Sequence, residues 1–159
     1  MDTVLFHVTS RGNNKVAIFH DDVDYQTFLR MLGDVVSGRG WIRHAYCLIP
    51  NHYHLFLEVP ELDLPRGMHL LNGRCARRFN QRHGRVGHAF QGPYFAEPVR
   101  RDEHVIEACC YIVLNPVRAR LVDHPGDWPW SSYSETPTGL VRELLGDRSR
   151  YEAFVLAAV

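Results

Sequence analysis

The chain is 159 residues long, 45% hydrophobic, with 18 basic and 18 acidic side chains and ten histidines. That length suits one domain with a short appendage, large enough to fold without a disulfide or a structural metal. No apolar run approaches the roughly 20 residues that span a bilayer, and Met1-Asp2-Thr3-Val4-Leu5-Phe6-His7 lacks the basic and apolar regions of a signal peptide, so a cytoplasmic location is expected.

In chain order, residues 3–10 alternate as a strand, and Ser10-Arg11-Gly12-Asn13-Asn14 marks the turn that ends it. Asp21 and Asp22 offer N-cap carboxylates to a helix whose Tyr25, Phe28, Leu29, Leu32, Val35 and Val36 share one face, closed by Gly38 to Gly40. Two strands, 41–48 and 53–59, flank Pro50-Asn51. A second helix, from about Pro65 to His83, sets Met68, Leu71, Cys75 and Phe79 on one face and Arg74, Arg77, Arg78 and Arg82 on the other. A glycine-marked loop, Gly84 to Gly92, leads to a short strand at 93–100. Asp102 then caps a third helix striped by Val105, Cys109, Ile112 and Val113. Asn115-Pro116 interrupts it, because proline disfavours a helical conformation in the residue before it.

The order is βαββαβ followed by a helix. It predicts an α+β, ferredoxin-like antiparallel sheet with helices on one face, plus a C-terminal helix. Trp128-Pro129-Trp130 follows, then a break at Thr136-Pro137-Thr138-Gly139 and two short helical patterns at 140–146 and 149–157. The expected division is a main domain over 1–135 and a helical tail over 136–159. Cys47, Cys75, Cys109 and Cys110 show no CxxC spacing and read as reduced, buried thiols.

Zero net charge conceals an uneven distribution. Residues 66–101 hold Arg66, Arg74, Arg77, Arg78, Arg82, Arg85, Arg100 and Arg101 against the single acid Glu97, eight charges against one. Fields act within a Debye length of about 8–10 Å, so this segment matters more than the chain average. It reads either as a phosphate-contacting face or as a solvated helix side with unrelated loop arginines.

The segment Pro50-Asn51-His52-Tyr53-His54-Leu55-Phe56-Leu57-Glu58 is the most informative. Strand side chains alternate, so His52 and His54 share a face, about 7 Å apart, and can converge on one metal ion. The competing reading is a pair of half-exposed histidines with ordinary hydrogen bonds. Tyr111 lies four residues before Asn115, so a phenol and an amide project from successive turns of one helix face. Taken alone, Tyr111 also suits a core position, and Asn115 a helix stop before Pro116.

Five blocks carry a resemblance: His7-Val8-Thr9-Ser10-Arg11-Gly12; Ala45-Tyr46-Cys47-Leu48-Ile49-Pro50-Asn51-His52-Tyr53-His54; Gly87-His88-Ala89-Phe90-Gln91-Gly92; Tyr111-Ile112-Val113-Leu114-Asn115-Pro116-Val117-Arg118; and Trp128-Pro129-Trp130-Ser131-Ser132-Tyr133. In this order, over about residues 3–133, they resemble the REP-associated tyrosine transposases, a branch of the single-tyrosine HUH transposases. The resemblance implies that 1–135 is the catalytic domain, that His52 and His54 bind a divalent metal, Mg²⁺ or Mn²⁺, and that Tyr111 is the nucleophile. It places a third ligand on Asn115. It further implies nicking and strand transfer on single-stranded or hairpin DNA, at palindromic repeats, by a monomer or homodimer with no membrane partner. Arg11 and Asn13, in the turn Arg11-Gly12-Asn13-Asn14, and Arg74, Arg77, Arg78 and Arg82 are the expected DNA contacts. Trp128 and Trp130 read either as base-stacking rings or as an anchor for the tail.

The chain departs from the family where Pro93, Tyr94 and Phe95 stand in place of an arginine, an aromatic and a lysine, and where Glu97 adds a negative charge. Two expected DNA-facing cations are therefore missing. Two other readings remain at this point: a domesticated DNA-binding protein of the same fold, and a ferredoxin-like RNA-binding module, which the missing glycine-aromatic signature disfavours.

Overall fold

The computed structural model describes residues 2–100 and 104–159; the expected Asp102 cap lies outside them. Strand β1 (Thr3–Arg11) is followed by α1 (Asp22–Gly38), β2 (Ile42–Ile49), β3 (His52–Pro60), α2 (Leu64–His83) and β4 (Phe95–Val99). Helix α3 (Val105–Val113), the single turn α4 (Asn115–Arg118), α5 (Gly139–Leu145) and α6 (Arg148–Ala157) complete the chain. Asp21 caps α1 as its position predicts, its carboxylate accepting from the Asp24 N–H. Gly84 ends α2 in the left-handed conformation, at φ 61°.

The strands lie in the order β2-β3-β1-β4, all antiparallel. Tyr53, Leu55 and Leu57 face one side and pack with Phe28, Leu32, Met68 and Leu71 of α1 and α2. Leu5, Ala45, Cys47 and Phe56 face the other and pack with Cys109, Ile112 and Val113 of α3 and with Val141, Leu145, Tyr151 and Val155 of the tail helices. The sheet is therefore covered twice. Helices α1 and α2 take the one expected face, and α3 with α5 and α6 takes the opposite one.

The two sheet edges are handled differently. Along β2, the Leu48 N–H donates to the Trp130 carbonyl at 2.8 Å, and Trp128 Nε1 donates to the Leu48 carbonyl at 2.9 Å. The Trp130 ring stacks on Tyr25 with centroids 4.8 Å apart. The two tryptophans thus anchor the tail segment, and that contact holds their rings against the core. Strand β4 forms the opposite edge and carries Pro98, a residue that suits a strand lacking an outer neighbour.

Candidate active site

Residues of β1 and β3 pair so that Thr9 lies opposite His54 and His7 opposite Phe56. His7, Thr9 and His54 consequently share the face that α3 covers. Together with Arg11, Phe95, Glu97, His104, Glu107 and Tyr111 they line a cleft of about 650 Å³. Tyr111 projects from α3 into this cleft and is 43% exposed. Its ring centroid lies 5.8 Å from that of His54 and 5.7 Å from that of His7. One chain thus brings the tyrosine to His54 and His7, while His52 is not among the residues lining the cleft.

His54 is not half-exposed. Only 5% of it is accessible, because α3 lies over this part of the sheet, while His52, nearer the strand start, is more open. Burial, and after it the electrostatic influence of His52, His7, Arg11 and Arg118, holds the His54 imidazole down at about 3. His52 and His7 are also lowered, chiefly by burial; for His7 the Glu97 carboxylate works in the opposite direction. All three rings are neutral at physiological pH, the state in which imidazole nitrogen binds a metal.

The hydrogen bonds determine which nitrogens are available. Asn51 Nδ2 donates to the Lys15 carbonyl, so Asn51 Oδ1 is the atom 2.7 Å from His52 Nδ1. An amide oxygen only accepts, so the proton sits on His52 Nδ1 and the Nε2 lone pair is left over. His54 Nδ1 lies 2.9 Å from His7 Nε2 and 3.2 Å from Thr9 Oγ1. His54 Nε2 is buried and has no hydrogen-bond partner among the described residues. A buried nitrogen without a partner is costly unless something binds it, and the His52 ring lies beside it, with centroids 5.0 Å apart.

Asn115 begins α4, after the helix breaks at Leu114. It is buried and does not line the cleft; its Nδ2 lies 3.4 Å from the Tyr111 carbonyl, which also accepts from Arg118 Nη1 at 2.8 Å. The Arg118 guanidinium lies 4.5 Å above the Tyr111 ring. Arg118 closes the fourth sequence block, but α4 is a single turn after the break at Leu114, so no periodicity places it over Tyr111. His7 and Thr9 do have one: they alternate on β1 as His52 and His54 do on β3.

Arg11 lines the cleft, and Asn13 lies outside it, beside His88 and Gln91. The turn between them is fixed by the Gly12 N–H on the Asn51 carbonyl and the Asn13 N–H on the Ala89 carbonyl. A side chain at Gly12 would meet the Val16 carbonyl oxygen at 2.0 Å, so only glycine allows the chain to fold back here. Arg74, Arg77 and Arg78 are exposed on α2. Arg82 is held by Asp21 and Asp24 at 2.6 and 2.7 Å. Glu58, which shares the histidine face by period two, bonds Thr3 Oγ1 and His44 Nε2, at the far end of β3.

The model of the family described as Transposase IS200 like matches residues 1–114. The chain belongs to this family. A relative within reach is a protein of Haemophilus influenzae assigned as a REP-associated tyrosine transposase, 28% identical over 101 residues that make up 56% of this chain and 57% of the relative. The chain thus matches little more than half the length of that relative. Among solved structures, a REP-associated tyrosine transposase bound to a REP hairpin superposes with a TM-score of 0.68 at 20% identity, covering 81% of this chain and 76% of the other. A Deinococcus radiodurans protein assigned as a transposase gives 0.53 at 20% identity, over 76% of this chain and 87% of the other. At such identity the structural likeness establishes the shared fold. No helix among the described residues is long and apolar enough to cross a membrane.

Proposed function

We propose that the protein is a metal-dependent DNA strand transferase that nicks single-stranded or hairpin DNA and keeps the broken end as a 5′-phosphotyrosine on Tyr111. The observation that carries this reading is the exposed Tyr111 phenol sharing a cleft with His54, a buried imidazole whose Nε2 has no partner. Family membership and the fold shared with a protein bound to a REP hairpin support DNA as the substrate.

His52 and His54 would hold the divalent ion through Nε2. Asn115 is the proposed third donor, through the Oδ1 that its Nδ2 contact leaves over. Two imidazoles favour transition metals and an amide oxygen with phosphate favours harder ions, a mixture that fits Mn²⁺ or Mg²⁺. Such an ion, when bound, polarises a phosphoryl oxygen and fixes the scissile bond for in-line displacement.

The chain's own residues do the rest. Tyr111 Oη loses its proton to solvent and attacks phosphorus, forming the phosphotyrosyl ester. The P–O3′ bond breaks, and the departing 3′-oxygen takes up a proton to become a hydroxyl. One ester replaces another, so resealing needs no external energy. The Arg118 guanidinium over the phenol ring holds the ring in place, and Arg11 at the rim is placed to meet phosphate. Arg74, Arg77 and Arg78 on α2, with Asn13, are proposed to extend the contact along the DNA, whereas Arg82 must first give up its carboxylates.

The test is a labelled hairpin oligonucleotide incubated with protein and Mn²⁺, then run on a denaturing gel. The wild-type chain should give a covalent adduct, and His52→Ala and His54→Ala should not. Adduct at the wild-type rate in both variants overturns the assignment. Tight binding without adduct in the wild type favours a binding-only protein, a reading that the Glu97 carboxylate in the cleft supports.

A further inference from the structure

On the opposite side of the sheet, three other side chains converge. His20 precedes α1, Asp24 lies in its first turn and His83 ends α2. A ligating atom from each lies within 4.8 Å of the others. His83 Nε2 is 2.8 Å from Asp24 Oδ2, and the two imidazole centroids are 4.4 Å apart. We propose that His20, Asp24 and His83 form a second divalent-metal site, which takes a zinc-class transition ion and staples the start of α1 to the end of α2.

The donor set is two imidazoles and one carboxylate, a combination that holds zinc with a fourth position left to water. Magnesium prefers oxygen ligands in an octahedral shell and finds one protein oxygen here. The frame is preorganised. The His20 N–H donates to Asp24 Oδ2 at 2.9 Å, and the Ile18 and Phe19 N–H groups donate to the Pro50 carbonyl, fixing the segment that carries His20. The Phe79 ring meets the His20 and His83 rings at 5.0 and 4.6 Å, an apolar wall that limits their rotation. Arg82 occupies Asp24 Oδ1 and also pairs with Asp21, which leaves Oδ2 turned towards the histidines. Two carboxylates against one guanidinium give the cluster one net negative charge while the histidines are neutral.

Tetrahedral zinc with bonds of about 2.0–2.2 Å sets its donors roughly 3.3–3.6 Å apart. The cluster must therefore close by about 1 Å. His20 can supply that movement, because it is exposed and, among the described residues, its side chain makes ring contacts and no hydrogen bond. The ion would replace the proton shared between His83 and Asp24. None of these residues belongs to the cleft, so the proposal stands apart from the function proposed above.

The experiment is zinc titration of the metal-free full chain by calorimetry, with Co²⁺ absorption reporting tetrahedral geometry. The His20→Ala chain should take up one zinc fewer than wild type and lose the corresponding Co²⁺ band, with affinity at that site down by at least about 100-fold, since losing a ligand costs no less than losing its support. Its metal-free melting temperature should match wild type, because His20 is exposed. A His52→Ala/His54→Ala chain should keep this zinc and be stabilised by it, and Mg²⁺ should not substitute. Equal zinc uptake by wild type and His20→Ala overturns the proposal. If the double variant fails to fold, the comparison of wild type with His20→Ala decides alone.

Discussion

Replacing His7 with alanine tests how the cleft would prepare His54 as the proposed metal ligand. For His54 Nε2 to offer a lone pair, the ring proton must sit on Nδ1, and two groups lie within reach of that proton, His7 Nε2 at 2.9 Å and Thr9 Oγ1 at 3.2 Å. A hydrogen bond to a group that shares a cation's charge contributes roughly 1.5–3 kcal/mol, which is about 10- to 150-fold in affinity. The Thr9 hydroxyl remains in the variant and can accept the same proton from slightly further away, so the expected loss lies at the lower end, about 10- to 30-fold. The assay is Mn²⁺ titration of the free protein near neutral pH, without DNA, by calorimetry or water-proton relaxation. His7→Gln places an amide oxygen at similar reach and should return affinity to within about threefold of wild type. Wild-type Mn²⁺ affinity in a folded His7→Ala chain would refute the reasoning and leave Thr9 as the only orienting group.

Tyr111→Phe keeps the ring contacts with His7, His54 and Arg118 and removes only the hydroxyl, so DNA binding and melting temperature should persist while the covalent adduct vanishes; an adduct that persists and maps to another tyrosine sinks the assignment. Changing Arg74 and Arg77 to glutamine should flatten the slope of log K against log salt by about 1.4 on single strands, roughly 0.7 per lost contact, and an unchanged slope puts this face away from DNA. Arg82→Gln, by contrast, should lower stability with little change of slope, because its guanidinium is already committed to Asp21 and Asp24. The folded chain holds His54 at about 3 against an ordinary 6.5, so the unfolded chain takes up a proton that the folded one refuses. Metal-free stability is therefore complete above about pH 6.5 and falls as pH drops towards 5, before carboxylates titrate, with His7 and His52 adding in the same direction. Urea midpoints that rise on acidification through that window contradict this.

The sheet was largely legible because its signals are local. Period-two alternation in β1 and β3 and the arginine-opposed stripe of α2 each report one element, and the element boundaries fall within a residue or two of where the pattern puts them. The covering of the second face was not legible: it depends on where α3 and two short tail helices dock, which periodicity does not encode. The burial of His54 follows from that docking, so the strand pattern alone gave the wrong exposure. His7 needed the register between β1 and β3, a long-range fact. Arg82 looked like its neighbours on α2, and only the approach of α1 distinguishes it. The gathering of His20, Asp24 and His83 has no sequence spacing at all, since 63 positions separate the outer two.

The bearing of α3 has a consequence for bookkeeping between molecules. Cys109, Ile112 and Val113 are buried in a core that includes the chain's own tail helices, so the helix that carries Tyr111 is not free to swing towards a neighbouring copy. The cleft contains one tyrosine. With Tyr111 as the proposed nucleophile, a chain built this way would keep hold of one DNA end at a time, with parts drawn from itself. Joining two ends would therefore call either for two complete molecules working side by side or for one molecule loaded twice in succession.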